Sequence, residues 1–166
     1  MPNVWFCADT HWGHSNIITH CNRPFKTTYE MDEKLIQNWN SRVKPNDTVY
    51  HLGDFSFRNS RGCEYYLNRL NGNIHLILGN HDKKTKSNRF LWIKDIETIK
   101  VEGQDIVLCH YPLEEWEGYY RGYIHLHGHC HGRRKPILGR LDVGVDNQNF
   151  MPISLEEVME QINAQV

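Results

Sequence analysis

The sequence predicts an α/β protein, a layered sandwich of mixed β-sheets flanked by helices. Short apolar runs closed by Gly, Asn or Asp recur along the chain and read as strands. Segments of helical spacing separate several of them. The length of 166 residues, with 39% hydrophobic and 23% charged residues, suits one globular domain with a single substantial core.

The runs at residues 4–8, 48–52, 74–78, 106–109, 124–126 and 141–145 are the expected strands. Met31, Leu35, Trp39 and Val43 step by four along one helix face, and a second helix is expected over residues 63–70. Ser154-Leu155-Glu156-Glu157 is a capping-box pattern that opens a terminal helix, with Leu155, Val158, Met159 and Ile162 as its apolar stripe. Strands alternate with helices in the first half, which implies parallel pairing through crossovers. Turns separate them in the second half, which implies mixed or antiparallel pairing. No repeat, Pro/Ser linker or low-complexity stretch breaks the chain, so residues 1–166 are expected to form one domain.

Composition excludes several function classes. No apolar run approaches the roughly 18 residues needed to span a bilayer, and the opening Met-Pro-Asn-Val-Trp lacks the regions of a signal peptide. Five cysteines without a CxxC pair suggest neither a disulfide framework nor a zinc knuckle, so reduced thiols and a cytoplasmic location are expected. A net charge of -1 argues against a surface built throughout to hold nucleic acid. Eleven histidines are the compositional oddity.

Many of these histidines fall, with acids and an amide, at the C-terminal ends of the apolar runs, where open α/β sheets place their sites. Asp9-Thr10-His11 puts a carboxylate and an imidazole two residues apart, on one side of an extended backbone. Gly53-Asp54 ends a buried run behind a glycine that permits close approach. Gly79-Asn80-His81-Asp82, His110 and Gly128-His129-Cys130-His131 complete the set. Each alone has a bland reading as a cap or turn former. Five together at the same ends of strands point to a site. Carboxylates, neutral imidazoles and a carboxamide are the mixture that a pair of divalent ions needs. Two such ions lie roughly 3.5 to 4 Å apart and share a bridging group, for which Asp54 is the candidate.

In this order the motifs resemble those of the calcineurin-like metallophosphoesterase superfamily, and residues 9–18 and 125–129 are similar to a small bacterial and phage branch of it. The resemblance implies that Asp9, His11 and His131 hold one metal and that Asn80, His110 and His129 hold the second, with Asp54 bridging. It implies His81 beside the scissile phosphate, oriented by Asp82. Cys130 departs from the Thr or Ser more usual between the last two histidines. Its side chain, lying between two ligands, is expected to point away.

Two divalent ions, from among Mn, Fe, Ni and Zn, would lower the pKa of a water bridging them and set the resulting hydroxide in line with phosphorus. The expected activity is therefore hydrolysis of phosphodiesters or phosphomonoesters, on a nucleotide or a nucleic-acid end, with no obligate protein partner. Lys83, Lys84 and Lys86, with Arg133, Arg134 and Lys135, are expected to rim one mouth and steer an anion. His14 and Arg58 are further candidates to touch phosphate. His20, His51, His75 and His125 read as structural or surface residues, and His127 as a support for His129. The alternatives are a catalytically silent metal-binding scaffold and a structural zinc protein, and the oxygen-containing, seven-position ligand set opposes the second.

Overall fold

A computed structural model describes residues 1–165. Among these residues nine strands form two mixed sheets. In the first, β1 (Val4–Cys7), β2 (Thr48–His51), β3 (Asn73–Ile77) and β4 (Ile93–Lys94) run parallel, and β9 (Ile153–Ser154) pairs antiparallel with β1. The order is β4-β3-β2-β1-β9. In the second, β5 (Ile96–Val101) pairs antiparallel with β6 (Gln104–Cys109), which is followed by parallel β7 (Ile124–His127) and β8 (Arg140–Asp142).

Alternation along the strands sends side chains to two apolar layers. Cys7, Val49, Ile74 and Leu76 join Met31, Leu35 and Trp39 of helix α2 (Thr28–Arg42) and Tyr66 of helix α3 (Cys63–Leu67). On the other face Phe6, Leu52 and Ile77 meet Ile106, Leu108, Ile124 and Leu126 of the second sheet and Val158 and Ile162 of helix α4 (Leu155–Asn163). Helix α2 is capped by Thr27 Oγ1, which accepts the Glu30 N–H at 3.1 Å. The expected capping box is present on α4: Ser154 Oγ accepts from Glu157 N, and Glu157 Oε2 from Ser154 N.

Four elements are not legible as apolar runs. Helix α1 (Ser15–His20) is one short, mostly polar stretch, and β4 and β9 have two residues each. Strand β5 lies at a sheet edge, with Ile96 exposed and charged residues along its face. Helix α3 ends earlier than the expected residue 70: beyond Leu67 the N–H groups of Arg69 and Leu70 reach the carbonyls of Tyr66 and Leu67, three residues back, in a tighter turn. The expected strand over residues 141–145 stops at Asp142, and a 3-10 turn over Val145–Asn147 follows. Among the described residues no helix is long and apolar enough to cross a membrane.

Candidate metal centre

Strands β1, β2 and β3 of one sheet and β6 and β7 of the other deliver their following loops to one place. Two ligand groups form there, Asp9, His11 and His131 in one and Asp54, His110 and His129 in the other, with the ligand atoms of each within 4.8 Å of one another; a third set at the same spacing, Cys21, His131 and Asp146, shares His131 with the first. Asp54 stands between them, its Oδ2 3.5 Å from His11 Nε2 and 3.4 Å from His110 Nε2. Asn80 Oδ1 lies 3.1 Å from both His110 Nε2 and His129 Nδ1, which adds the carboxamide to the second group.

Neighbouring side chains brace the first group. His11 Nδ1 lies 3.2 Å from His14 Nδ1, while His11 Nε2 is buried without a hydrogen-bond partner. His131 Nδ1 is 2.6 Å from Asp146 Oδ2; a carboxylate accepts, so Nδ1 carries a proton, and Nε2 is the nitrogen that would bind a cation once its own proton is displaced. Asp146 is held in turn by Arg23, whose Nε donates to Oδ1 at 2.8 Å and whose NH2 donates to Oδ2 at 3.0 Å. The same guanidinium donates to the carbonyls of Asp9 at 2.7 Å and Thr10 at 3.1 Å. Arg23 is buried, and it ties the first motif to the last.

Mainly the backbone braces the second group. His110 Nδ1 donates to the Leu52 carbonyl at 2.7 Å, which leaves Nε2 toward Asp54 and Asn80. A Cβ on Gly53 would stand 2.4 Å from His110 Nδ1, and one on Gly79 2.3 Å from Asp54 Oδ1, so both motif glycines are required by close approach. Asp82 does not reach for the His81 ring as expected. Its carboxylate accepts the N–H groups of Asp54 (2.6 Å), Gly79 (2.8 Å) and Phe55 (3.0 Å), so it pins the second motif to the third.

The ligands sit on strained backbone. Asp9, His11, Asp54, His129 and His131 all have φ between 50° and 71°. Such positions cost about 1–3 kcal/mol each in non-glycine residues and cluster at functional sites. The extended alternation expected at Asp9-Thr10-His11 is therefore absent: the two ligands converge through left-handed turns, while Thr10 Oγ1 turns inward to His51 Nε2 and the Phe55 carbonyl. Cys130 lies between two of these turns; the charges that reach its thiol are those of Asp142, Arg134, Asp9 and Arg140, and it joins neither ligand group.

Burial raises the Asp9 carboxyl to about 7 against the lowering fields of His131 and His110. Burial would also raise Asp54, but the hydrogen bond and charge of His110 and the charge of His11 hold it well below the usual carboxylate range. For His131, burial is outweighed by Asp146, Cys21 and Asp9, and its pKa stands at about 10. These are strong fields around oxygen and nitrogen donors. A buried orphan imidazole nitrogen facing a carboxylate, with carboxylates and a carboxamide beside it, fits divalent cations.

A cavity of about 640 Å³ opens over this centre, lined by His14, His20, Asn80, His81, Arg133 and Arg134 among others. The His81 ring packs 4.1 Å from Phe57 and 5.5 Å from His11, so ring packing rather than Asp82 orients it. His14 lines the cavity beside His11. The two basic clusters do not share one mouth. Arg133 and Arg134 line this cavity, while Arg58, Lys83 and Lys84 line a second, of about 560 Å³, which adjoins it across Asn80 and His81. Of the other histidines, His51 links Thr10 to the Gly53 N–H, and His75 stacks on Tyr50. His125 bonds the Val107 carbonyl, and His127 bonds the carbonyl of Gly128, next to His129.

The family model described as calcineurin-like phosphoesterase matches residues 2–129. The chain belongs to the calcineurin-like phosphoesterase family. A similar protein from Methanocaldococcus jannaschii, described as uncharacterized, is 34% identical over 98% of this chain and 92% of its own. The Gene 66 protein of Mycobacterium phage L5 is 28% identical over 98% of this chain and 95% of its own. The crystal structure of a protein of unknown function from Aquifex aeolicus superposes with a TM-score of 0.79 at 26% identity, covering 98% of this chain and all of that one. Calcineurin-like phosphoesterases are metal-dependent hydrolases, and the ligand groups around Asp54 are where this chain has donors for the metal.

Proposed function

We propose that the chain hydrolyses phosphodiester or phosphomonoester bonds of nucleotides or nucleic acids with two divalent ions, from among Mn, Fe, Ni and Zn. The observation that carries this reading is Asp54, whose one carboxylate oxygen faces imidazole nitrogens of both ligand groups at 3.4–3.5 Å. Asp9, His11 and His131 would hold one ion, and Asn80, His110 and His129 the other. Bound there, the ions would supply Lewis acidity to the phosphoryl oxygens and lower the pKa of a water.

The chain's own residues do the rest. His81 stands at the wall of the cavity, its backbone N–H held by Asp54 Oδ1 at 2.9 Å and its ring free of hydrogen bonds to other described residues. The imidazole is thus placed to donate to a phosphoryl oxygen and to pass a proton to the departing oxygen. His14 holds the ring of His11, and Arg58, Lys83 and Arg133 offer positive charge to the phosphates. The five free cysteines support a reducing, cytoplasmic location.

Metal analysis together with turnover of a small chromogenic diester and monoester tests the proposal. About two divalent ions per chain with turnover supports it. A metal-loaded chain without turnover supports the silent scaffold instead. His81→Ala should lower kcat by roughly 10²–10⁴-fold, the usual contribution of a general acid, and keep both ions. Full activity in that variant removes His81 from the reaction.

A further inference from the structure

We infer that the substrate is a single-stranded polynucleotide held on both sides of the scissile phosphate and cut internally, not only at an end. The inference rests on the phosphoesterase reading above and extends it to the substrate. The two cavities meet at Asn80 and His81, which line both. A phosphate beside His81 therefore has a second space next to it. A monoester or a free nucleotide would fill one cavity and leave the other unused, since each is within the size range of a small-ligand site.

Both cavities carry positive charge suited to further phosphates. Arg133 and Arg134 stand in the first, and Arg58, Lys83 and Lys84 in the second. Among the described residues none of these five has a carboxylate within 4 Å, whereas Arg23, Arg42, Arg69, Lys94 and Lys100 all do. In a chain of net charge -1, five cations without a carboxylate partner thus line the two cavities that adjoin at the centre. Arg58 is held over the Phe57 ring at 5.1 Å, and that ring packs on His81, so one cation is set in place beside the reacting position. A concave, cationic path with unpaired charge on both arms fits a flexible strand whose backbone can follow it.

The test uses the Mn²⁺-loaded protein on three substrates: bis(p-nitrophenyl) phosphate, circular single-stranded DNA and RNA, and oligonucleotides lengthened on one side or the other of a single cleavable linkage. Cutting of a circle is expected. Lengthening on either side should raise kcat/KM by about tenfold or more. Lys83→Ala with Lys84→Ala should remove the gain from one side, and Arg133→Ala with Arg134→Ala the gain from the other. The log–log salt slope should shrink by about 0.7 for each phosphate that the variant no longer neutralises. Hydrolysis of the small diester with uncut circles, or with no gain from lengthening, overturns the inference and leaves the phosphoesterase reading standing. If both pairs of substitutions act on the same side, the two-armed path is wrong. If the small diester is not hydrolysed either, the phosphoesterase reading itself fails.

Discussion

The two ligand groups lie on either side of one carboxylate, yet they are held in place by different means. In the group of Asp9, His11 and His131, the last imidazole depends on Asp146, and Asp146 on Arg23, a buried ion pair between residues 123 positions apart. In the group of Asp54, Asn80, His110 and His129, the supports are a main-chain carbonyl at Leu52, the N–H groups that bind Asp82, and two glycines that leave room. The first group is built on buried charge, which is exposed to failure when one partner is removed. The second is built on backbone groups gathered by the nearby Asp82 carboxylate, so no long-range ion pair supports it.

Asp54→Ala removes the feature common to both groups and should give the largest effect. Turnover should fall beyond the roughly 10²–10⁴-fold of a lost general acid, with both ions weakened; calorimetric metal titration and diester turnover read it. Asp146→Asn should act on one side alone. Metal affinity of the His131 group should drop about 10–100-fold, the usual effect of removing a carboxylate that supports a ligand, while the His110 group keeps its ion. Equal losses in both groups would erase the distinction.

pH separates the groups more gently. Ion binding at the first group displaces a proton from His131 below about pH 10, and one from Asp9 below about pH 7. Affinity there should rise about tenfold per pH unit between 7 and 10, and more steeply below 7. The second group, with Asp54 held in its charged form and only the raised His110 imidazole to lose a proton, should be shallower. Without metal the sign reverses. Both raised groups give stability that is fully present below their unfolded values and lost as pH climbs, for Asp9 between about 4 and 7 and for His131 between about 6.5 and 10. The rise in Tm on adding Mn²⁺ should therefore be larger at pH 9 than at pH 6. The smallest effect belongs to Arg42→Ala, which breaks a part-exposed pair with Glu157 far from the centre and should cost about 1 kcal/mol or less, with turnover intact.

The same contrast explains what is legible in the sequence. Asp9, Asp54, Asn80, His110 and His129 each follow an apolar strand directly, so position alone marks them. Arg23 and Asp146 carry no such mark. Arg23 reads as a solvated charge before Pro24, and Asp146 as a turn former in Gly144-Val145-Asp146-Asn147; only the fold, by carrying β9 and the preceding turn back against β1, joins them. Left-handed backbone at His129 and His131 is hidden as well, since alternation along a sequence assumes extended chain. Asp82 is misread for a different reason, because proximity in sequence points it at the neighbouring ring, whereas its carboxylate turns back to backbone N–H groups.

The bridging position of Asp54 is probed most directly by low-temperature EPR of protein carrying two equivalents of Mn²⁺. An exchange-coupled two-ion signal is expected, replaced in Asp54→Ala by the signal of isolated ions. Isolated-ion signals alone in the unsubstituted protein would contradict a bridge at Asp54.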